Sequence, residues 1–272
     1  MRDFPAPGKL NLFLHLLGRR ADGYHELQTV FRLIDRADSV RIARRADGEL
    51  RFTGMFGEDN LCLRAARLLK GQTSCRLGAD IELEKRLPIG GGLGGGSSDA
   101  ATVLLALNRL WDLRVGRAEL VQLGAKLGAD VPFFLFGRSA LGEGIGERLS
   151  ALELKPAWYL VLTPQVAVST KEIFAGALTG ESKRLTIPPF FSGRGRNDLE
   201  ALVTARYPEV AAQLAWLRVR CPQARMTGSG ACVFAEFDTE TEARAIQSQM
   251  PHGMDGFVAQ GLDRHPLYDW AE

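Results

Sequence analysis

The sequence has no apolar run near the roughly 18 residues of a membrane span. Its longest such runs, 100–107 and 131–136, are short, so no membrane association is expected. It is poor in cysteine: Cys62, Cys75, Cys221 and Cys232 are scattered with no close pair. Such spacing fits reduced thiols in the cytoplasm better than a disulfide framework or a zinc site. The four histidines show neither HxH nor HExxH spacing, so no metal centre is legible. There is no glycosylation sequon. Pro5, Pro7, Lys9 and Asn11 break the apolar character of the first residues, and no signal peptide is expected. Charge of one sign is also lacking. The 34 basic and 32 acidic residues leave +2, which speaks against a nucleic-acid binder and against a charged disordered chain. No repeat, low-complexity tract or obligate protein partner is evident.

The chain has 272 residues, of which 46% are hydrophobic. That length suits one large or two modest domains with sizeable cores. Leu10, Leu12, Leu14 and Leu16 alternate with Lys9, Asn11, Phe13 and His15, which is strand periodicity. It places Lys9 and Asn11 on one face. Ala21-Asp22-Gly23 reads as a turn and 27–34 as the return strand. Short strands are expected at 40–42, 50–52 and 79–84, and a helix over 60–70. Ser97-Ser98-Asp99 opens a helix through Leu107 and Trp111. Further helices are expected over 117–127 and after Asp130-Val131-Pro132. The glycines of 140–149 suggest a turn-rich connection. A second unit begins near Lys155-Pro156, with strands at 158–162 and 231–237 and an irregular loop over 180–195. It carries a helix from Pro208 to about Arg220 and a capping box at Thr239-x-x-Glu242.

Glycine is abundant, with 30 residues. The run Pro88-Ile89-Gly90-Gly91-Gly92-Leu93-Gly94-Gly95-Gly96-Ser97-Ser98 lies between a strand and a patterned helix. Lacking Cβ atoms, such a backbone can wrap an anion and aim N–H groups at it, and the helix adds its positive end. It reads as a nucleotide phosphate cradle. It has no lysine and so is not a P-loop. Gly90, Gly92 and Gly95 match GxGxxG, but the acidic partner that motif needs about 20 residues on would be Asp112, at a helix end. Asp130 by spacing alone is a helix N-cap, a place compatible with a general base. Lys9 by itself is a surface strand lysine. Tyr24-His25 follows a turn, as an exposed loop or a stacking surface for a planar base. Thr227-Gly228-Ser229-Gly230 is a simple turn or a second anion-binding nest.

Three segments together resemble the GHMP kinases: Pro5-Ala6-Pro7-Gly8-Lys9-Leu10-Asn11-Leu12, the glycine run, and Met226-Thr227-Gly228-Ser229-Gly230-Ala231. Residues 20–29, with Tyr24-His25, and Gly128-Ala129-Asp130-Val131-Pro132-Phe133 are similar to the branch acting on a cytidine diphosphate ester of methylerythritol. The resemblance covers essentially the whole chain. It implies an α+β fold, with a mixed α/β N-terminal domain over 1–154 containing a left-handed βαβ crossover. A ferredoxin-like C-terminal domain over 155–272 follows, with the site between them. It implies ATP as co-substrate with Mg²⁺, whose ligands stay unassigned between Ser97, Ser98 and others. It implies Lys9 and Asp130 as the catalytic pair and 88–98 as the ATP loop. Asn60 and Lys85 would lie near adenine, Tyr24, His25 and Phe174 around cytosine, and Asn11 near the reacting hydroxyl. Gly8 and Asp99 depart from the commoner alanine and asparagine. The alternatives are a homoserine or sugar kinase of the same family, a nicotinamide oxidoreductase, and a non-enzymatic nucleotide-binding module.

Overall fold

The computed structural model describes residues 1–177 and 195–271. The irregular loop expected over 180–195 falls almost entirely outside them. The chain opens with a long hairpin. Strand β1 (Arg2–Arg19) pairs antiparallel with the 21-residue β2 (His25–Arg45) around the expected turn. The two strands expected at 27–34 and 40–42 are one. β1 pairs with β2 on both sides of the exposed Asp35 and Arg36, and only residues 34–36, opposite the irregularity at Gly8, drop out of the ladder.

Along its other edge β2 takes three partners in turn. β5 (Ala140–Gly144) meets its start, β10 (Gly256–Leu262) its middle and β4 (Gly78–Glu84) its end. β3 (Leu50–Thr53) lies parallel to β4, and α1 (Leu61–Thr73) makes the crossover between them. The segment 140–149 is only in part the expected turn-rich connection. Gly142 and Gly144 belong to β5, which forms a hairpin with β6 (Arg148–Ala151), and Gly146 alone sits in the turn between them. Gly142 is there for a close approach, because a Cβ would come within 2.6 Å of the Phe31 ring.

Helix α2 (Gly95–Leu110) runs under this sheet, and every residue from 98 to 108 is buried. Such an all-round apolar helix must be enclosed. α1, α3 (Arg117–Ala125) and α4 (Val131–Phe136) enclose it together with β1. No strand follows α2 directly, and Asp112 sits beyond the helix end, paired with Arg114 at the surface. A dinucleotide-binding βαβ is therefore absent from this segment.

The second unit holds β7 (Trp158–Leu162), α5 (Thr170–Gly176), α6 (Glu200–Arg206) and α7 (Pro208–Arg220), then β8 (Arg225–Met226). β9 (Val233–Phe237), α8 (Glu240–Gln247) and β10 complete it. Its strands run in the order β10-β7-β9-β8, all antiparallel, which is the ferredoxin-like arrangement. The capping box at Thr239 and Glu242 forms as expected. The units are fused. A buried cluster including Leu10, Phe13, Tyr159 and Phe234 lies between them, and β10 bonds to β2 through Gly261 and Leu262. Beyond β10 the chain returns to the first unit, where Leu267 and Ala271 join the core around α2.

Candidate active site

β1 delivers two of the expected residues on one face. Irregularities in its ladder fall between Pro7 and Lys9 and between Asn11 and Phe13, bracketing the pair. Such bulges re-aim side chains. Lys9 is buried, yet its ammonium lies 3.6 Å from Asp130 Oδ2 and donates to Asn11 Oδ1. Burial pulls the Lys9 pKa below its usual range, against the opposing pull of Asp130. Asn11 is oriented in turn: its Nδ2 donates to Thr29 Oγ1 at 2.8 Å, and Thr29 donates to the Phe13 carbonyl. Asn11 therefore presents its oxygen to Lys9. Thr29 carries no signal in the sequence, because only the hairpin register brings it opposite.

Asp130 occupies the N-cap position of α4, but its side chain makes no capping hydrogen bond. The cap role favoured by spacing is thus not the one its carboxylate performs. Pro132 in the first turn has no N–H, which reduces the demand for a cap. The carboxylate is 37% exposed and faces Lys9 instead.

The glycine run leaves β4 and enters α2, with Gly94 as a left-handed N-cap at φ 70°. Gly92 sits at φ 78°, and a Cβ on it would fall 2.4 Å from the Thr227 carbonyl. Only glycine fits both demands. The second turn is the floor of the first loop: Ala231 and Cys232 donate their amides to the carbonyls of Gly90 and Gly91 at 3.2 and 3.1 Å. Lys9 is tied to the same loop, its amide donating to the Leu93 carbonyl at 3.0 Å.

The second turn also touches the face of β1 that carries Lys9 and Asn11. A Cβ on Gly228 would stand 3.3 Å from Lys9 Nζ. Thr227 Oγ1 accepts the Asn11 amide at 2.9 Å, so Thr227 is spent on holding β1. Ser229 bonds the Thr170 hydroxyl at 2.7 Å, joining the turn to α5. Of the two loop serines, Ser98 is buried and donates to the Pro7 carbonyl at 2.7 Å. Ser97 lines the cavity.

Asn60 and Lys85 both border that cavity. Asn60 caps α1, accepting from the Cys62 amide and donating to the Met55 carbonyl, each at 2.8 Å. Lys85 lies between Asp38 and Asp99. Burial pushes the Asp99 carboxyl up to about 7. Asp38 offered no motif and was not foreseen.

His25 and Phe174 are brought together across the two units, with ring centroids 5.6 Å apart. Burial, with help from Arg19, lowers the pKa of His25. Tyr24 is 60% exposed at the hairpin turn; neither it nor His25 borders the cavity, whereas Phe174 does, with His25 packed behind it. The cavity has a volume of 670 Å³ and runs from Asn60 and the glycine loop, past Lys9 and Asp130, to Phe174. One end has the glycine loop, the middle a carboxylate beside an ammonium, and the far end an aromatic wall formed by the Phe174 ring. Such a site can align a nucleotide phosphate with an acceptor hydroxyl.

Comparison with known proteins follows the same lines. Residues 60–138 match the family described as GHMP kinases N terminal domain, and residues 190–256 match GHMP kinases C terminal. The chain is 58% identical to a 4-diphosphocytidyl-2-C-methyl-D-erythritol kinase of Nitrosospira multiformis, over 98% of this chain and 94% of that protein. It is 56% identical to the protein of the same name in Ralstonia nicotianae, over 98% and 96%. A crystal structure of 4-(cytidine 5'-diphospho)-2C-methyl-D-erythritol kinase superposes with a TM-score of 0.87 at 34% identity, over 96% of this chain and 99% of that one.

Proposed function

Because this chain belongs to the GHMP kinases, we propose that it transfers the γ-phosphoryl group of ATP to the 2-hydroxyl of 4-diphosphocytidyl-2-C-methyl-D-erythritol, a step of the non-mevalonate route to isoprenoid precursors. The observation that carries the reading is the Lys9–Asp130 approach of 3.6 Å beside a glycine loop that opens a buried helix.

The acceptor is a tertiary alcohol, crowded and weakly acidic. Asp130 takes its proton as the oxygen attacks phosphorus, and the bond to the ADP oxygen breaks. Lys9 holds Asp130 in place, and its charge offsets that of the transferring group. Asn11 fixes the ammonium. The loop amides and the N-terminus of α2 hold the triphosphate. No covalent intermediate is needed, since alignment and electrostatics dominate phosphoryl transfer.

The donor set suits Mg²⁺. Among the described residues there is no cluster of three histidine, cysteine or acidic side chains, but Mg²⁺ on a nucleotide needs only one or two protein oxygens beside phosphates and water. Ser97, which lines the cavity, would hold it, as Ser98 is committed to Pro7. Bound there, Mg²⁺ neutralises phosphate charge.

At the other end Phe174 would stack on the cytosine with His25 packed against its ring, while Tyr24, exposed at the hairpin turn outside the cavity, would close over the base only from solvent. An acceptor without a planar base has no use for that wall, which favours the cytidine substrate over homoserine or a sugar. We place the domain boundary after residue 154, between β6 and β7. Among the described residues no helix is long and apolar enough to cross a membrane.

The test is ADP release from ATP and Mg²⁺ with the cytidine ester as acceptor, beside homoserine, mevalonate and galactose. Turnover with the cytidine ester alone is expected. Turnover with another acceptor overturns the substrate, and ATP binding without turnover on any of the four favours a binding module.

A further inference from the structure

Asp38 stands on β2, outside the glycine loop, the Lys9–Asp130 pair and the aromatic wall. Its carboxylate has no solvent exposure. A buried charge persists only when several donors compensate it, and here three do. Oδ1 accepts the backbone N–H groups of Arg86 and, at 2.7 Å, Leu87, while Oδ2 takes the Lys85 ammonium.

The placement gives these bonds a purpose. In the β2–β4 ladder, Ser39 opposes Glu84, and the pairing ends there. The next residues, 85–87, leave the sheet toward Pro88 and the glycine loop. The Asp38 side chain accepts the amides that the ladder no longer serves. The path into the loop is therefore set by one carboxylate.

Lys85 ties down the other end. Its Nζ also reaches Asp99 Oδ2 at 2.8 Å, in the first turns of α2. A Cβ on Gly95, the first residue of that helix, would lie 3.0 Å from Lys85 Nζ and 3.2 Å from Asp38 Oδ2. The charged group is thus pressed against the place where the loop becomes helix.

We infer that Asp38 is a positioning residue for the nucleotide: with Lys85 and Asp99 it clasps both ends of the segment 88–94, so that the loop amides form one fixed phosphate cradle. This rests on the reading of that loop as the ATP cradle. A preorganised cradle does not have to be ordered at the moment of binding. Loosening it weakens the nucleotide. The acceptor is held by other elements, through Asn11, His25 and Phe174, and is spared.

The experiment is calorimetric titration of the full chain with ATP, without acceptor, followed by steady-state KM values for both substrates. Asp38→Ala should weaken ATP binding about tenfold while the acceptor KM stays within about twofold. Asp38→Asn keeps an oxygen for the two amides and should recover part of the loss, whereas Asp38→Leu, which fills the space but offers no acceptor, should not; equal recovery by both would mark a packing defect and overturn the inference. A folded Asp38→Ala variant with wild-type ATP affinity, or with both KM values raised alike, overturns the inference. Should Asp38→Ala fail to fold, Asp99→Ala decides: weakened ATP binding with an unchanged acceptor KM supports the clasp, and unchanged ATP binding refutes it. A wild-type chain that does not bind ATP would instead overturn the reading of the loop itself.

Discussion

Lys9 Nζ and Asp130 Oδ2 lie 3.6 Å apart, although one belongs to the first strand and the other to the start of a helix 121 positions later. Neither group is spent elsewhere in the way its local sequence suggests. Lys9 is buried, not a surface strand lysine, and Asp130 holds a cap position without making a cap bond. Their meeting is a property of the packing of α4 against β1 through α2.

Asp130→Asn should lower kcat by about 10²- to 10⁴-fold, the usual worth of a general base. The KM for ATP and the melting temperature should change little, since no capping bond is lost. Stopped-flow or coupled ADP assays with a thermal scan check both halves. Near-normal turnover would refute the role.

His25→Ala and Phe174→Ala should each raise the KM for the cytidine substrate, by the factor of about 5 to 150 that corresponds to 1–3 kcal/mol for a stacked base. The ATP KM should stay near its original value. Because the two rings touch at 5.6 Å, the double variant should lose less than the sum. Tyr24→Ala, at an exposed position, should do less than either. Equal effects on both substrates would sink the assignment.

Gly92→Ala should abolish tight nucleotide binding. The added Cβ would sit 2.4 Å from the Thr227 carbonyl, at a φ of 78°. The backbone strain alone is about 1–2 kcal/mol, and the floor under the loop must shift as well. Nucleotide titration and a thermal scan report the two losses separately.

His265 is buried, with Nδ1 accepting the Leu267 amide at 3.0 Å. Burial, aided by Arg117, lowers its pKa from 6.5 to about 3. The unfolded chain therefore takes up the proton first. The contribution is whole above pH 6.5 and fades as pH falls toward 3, reaching roughly 2 kcal/mol of loss at pH 5. Urea unfolding at pH 7 and pH 5 should show His265→Gln losing less on acidification than the wild type. Identical losses would remove His265 from the account.

Part of this was legible in the chain itself. The alternation around Lys9 and Asn11 fixed a strand and put both on one face, because a strand repeats every two residues. The apolar spacing after Asp99 marked a helix, and the glycine run before it marked a tight loop at its start, because glycine tolerates the positive φ of positions 90, 92 and 94. Thr239 and Glu242 announced their own capping box. Of the glycines at 140–149, Gly146 does mark a turn but Gly142 and Gly144 lie in β5, since glycine serves close approach within a strand as readily as a turn. β10, α5 and α6 left too weak a pattern to stand out.

What the sequence determined by itself is local: strands, helices, loops and the residue types able to hold a phosphate or move a proton. Local rules act over a few residues, so they reach no further. Tertiary structure alone decided the rest. It set Asp130 against Lys9, laid His25 on Phe174 from the other unit, closed the second turn beneath the glycine loop and placed Asp38 where β4 runs out of partners. Each of those contacts joins segments far apart in the chain, and they form only because burying the apolar faces of α2, β1 and the shared cluster leaves the polar groups one arrangement that satisfies them.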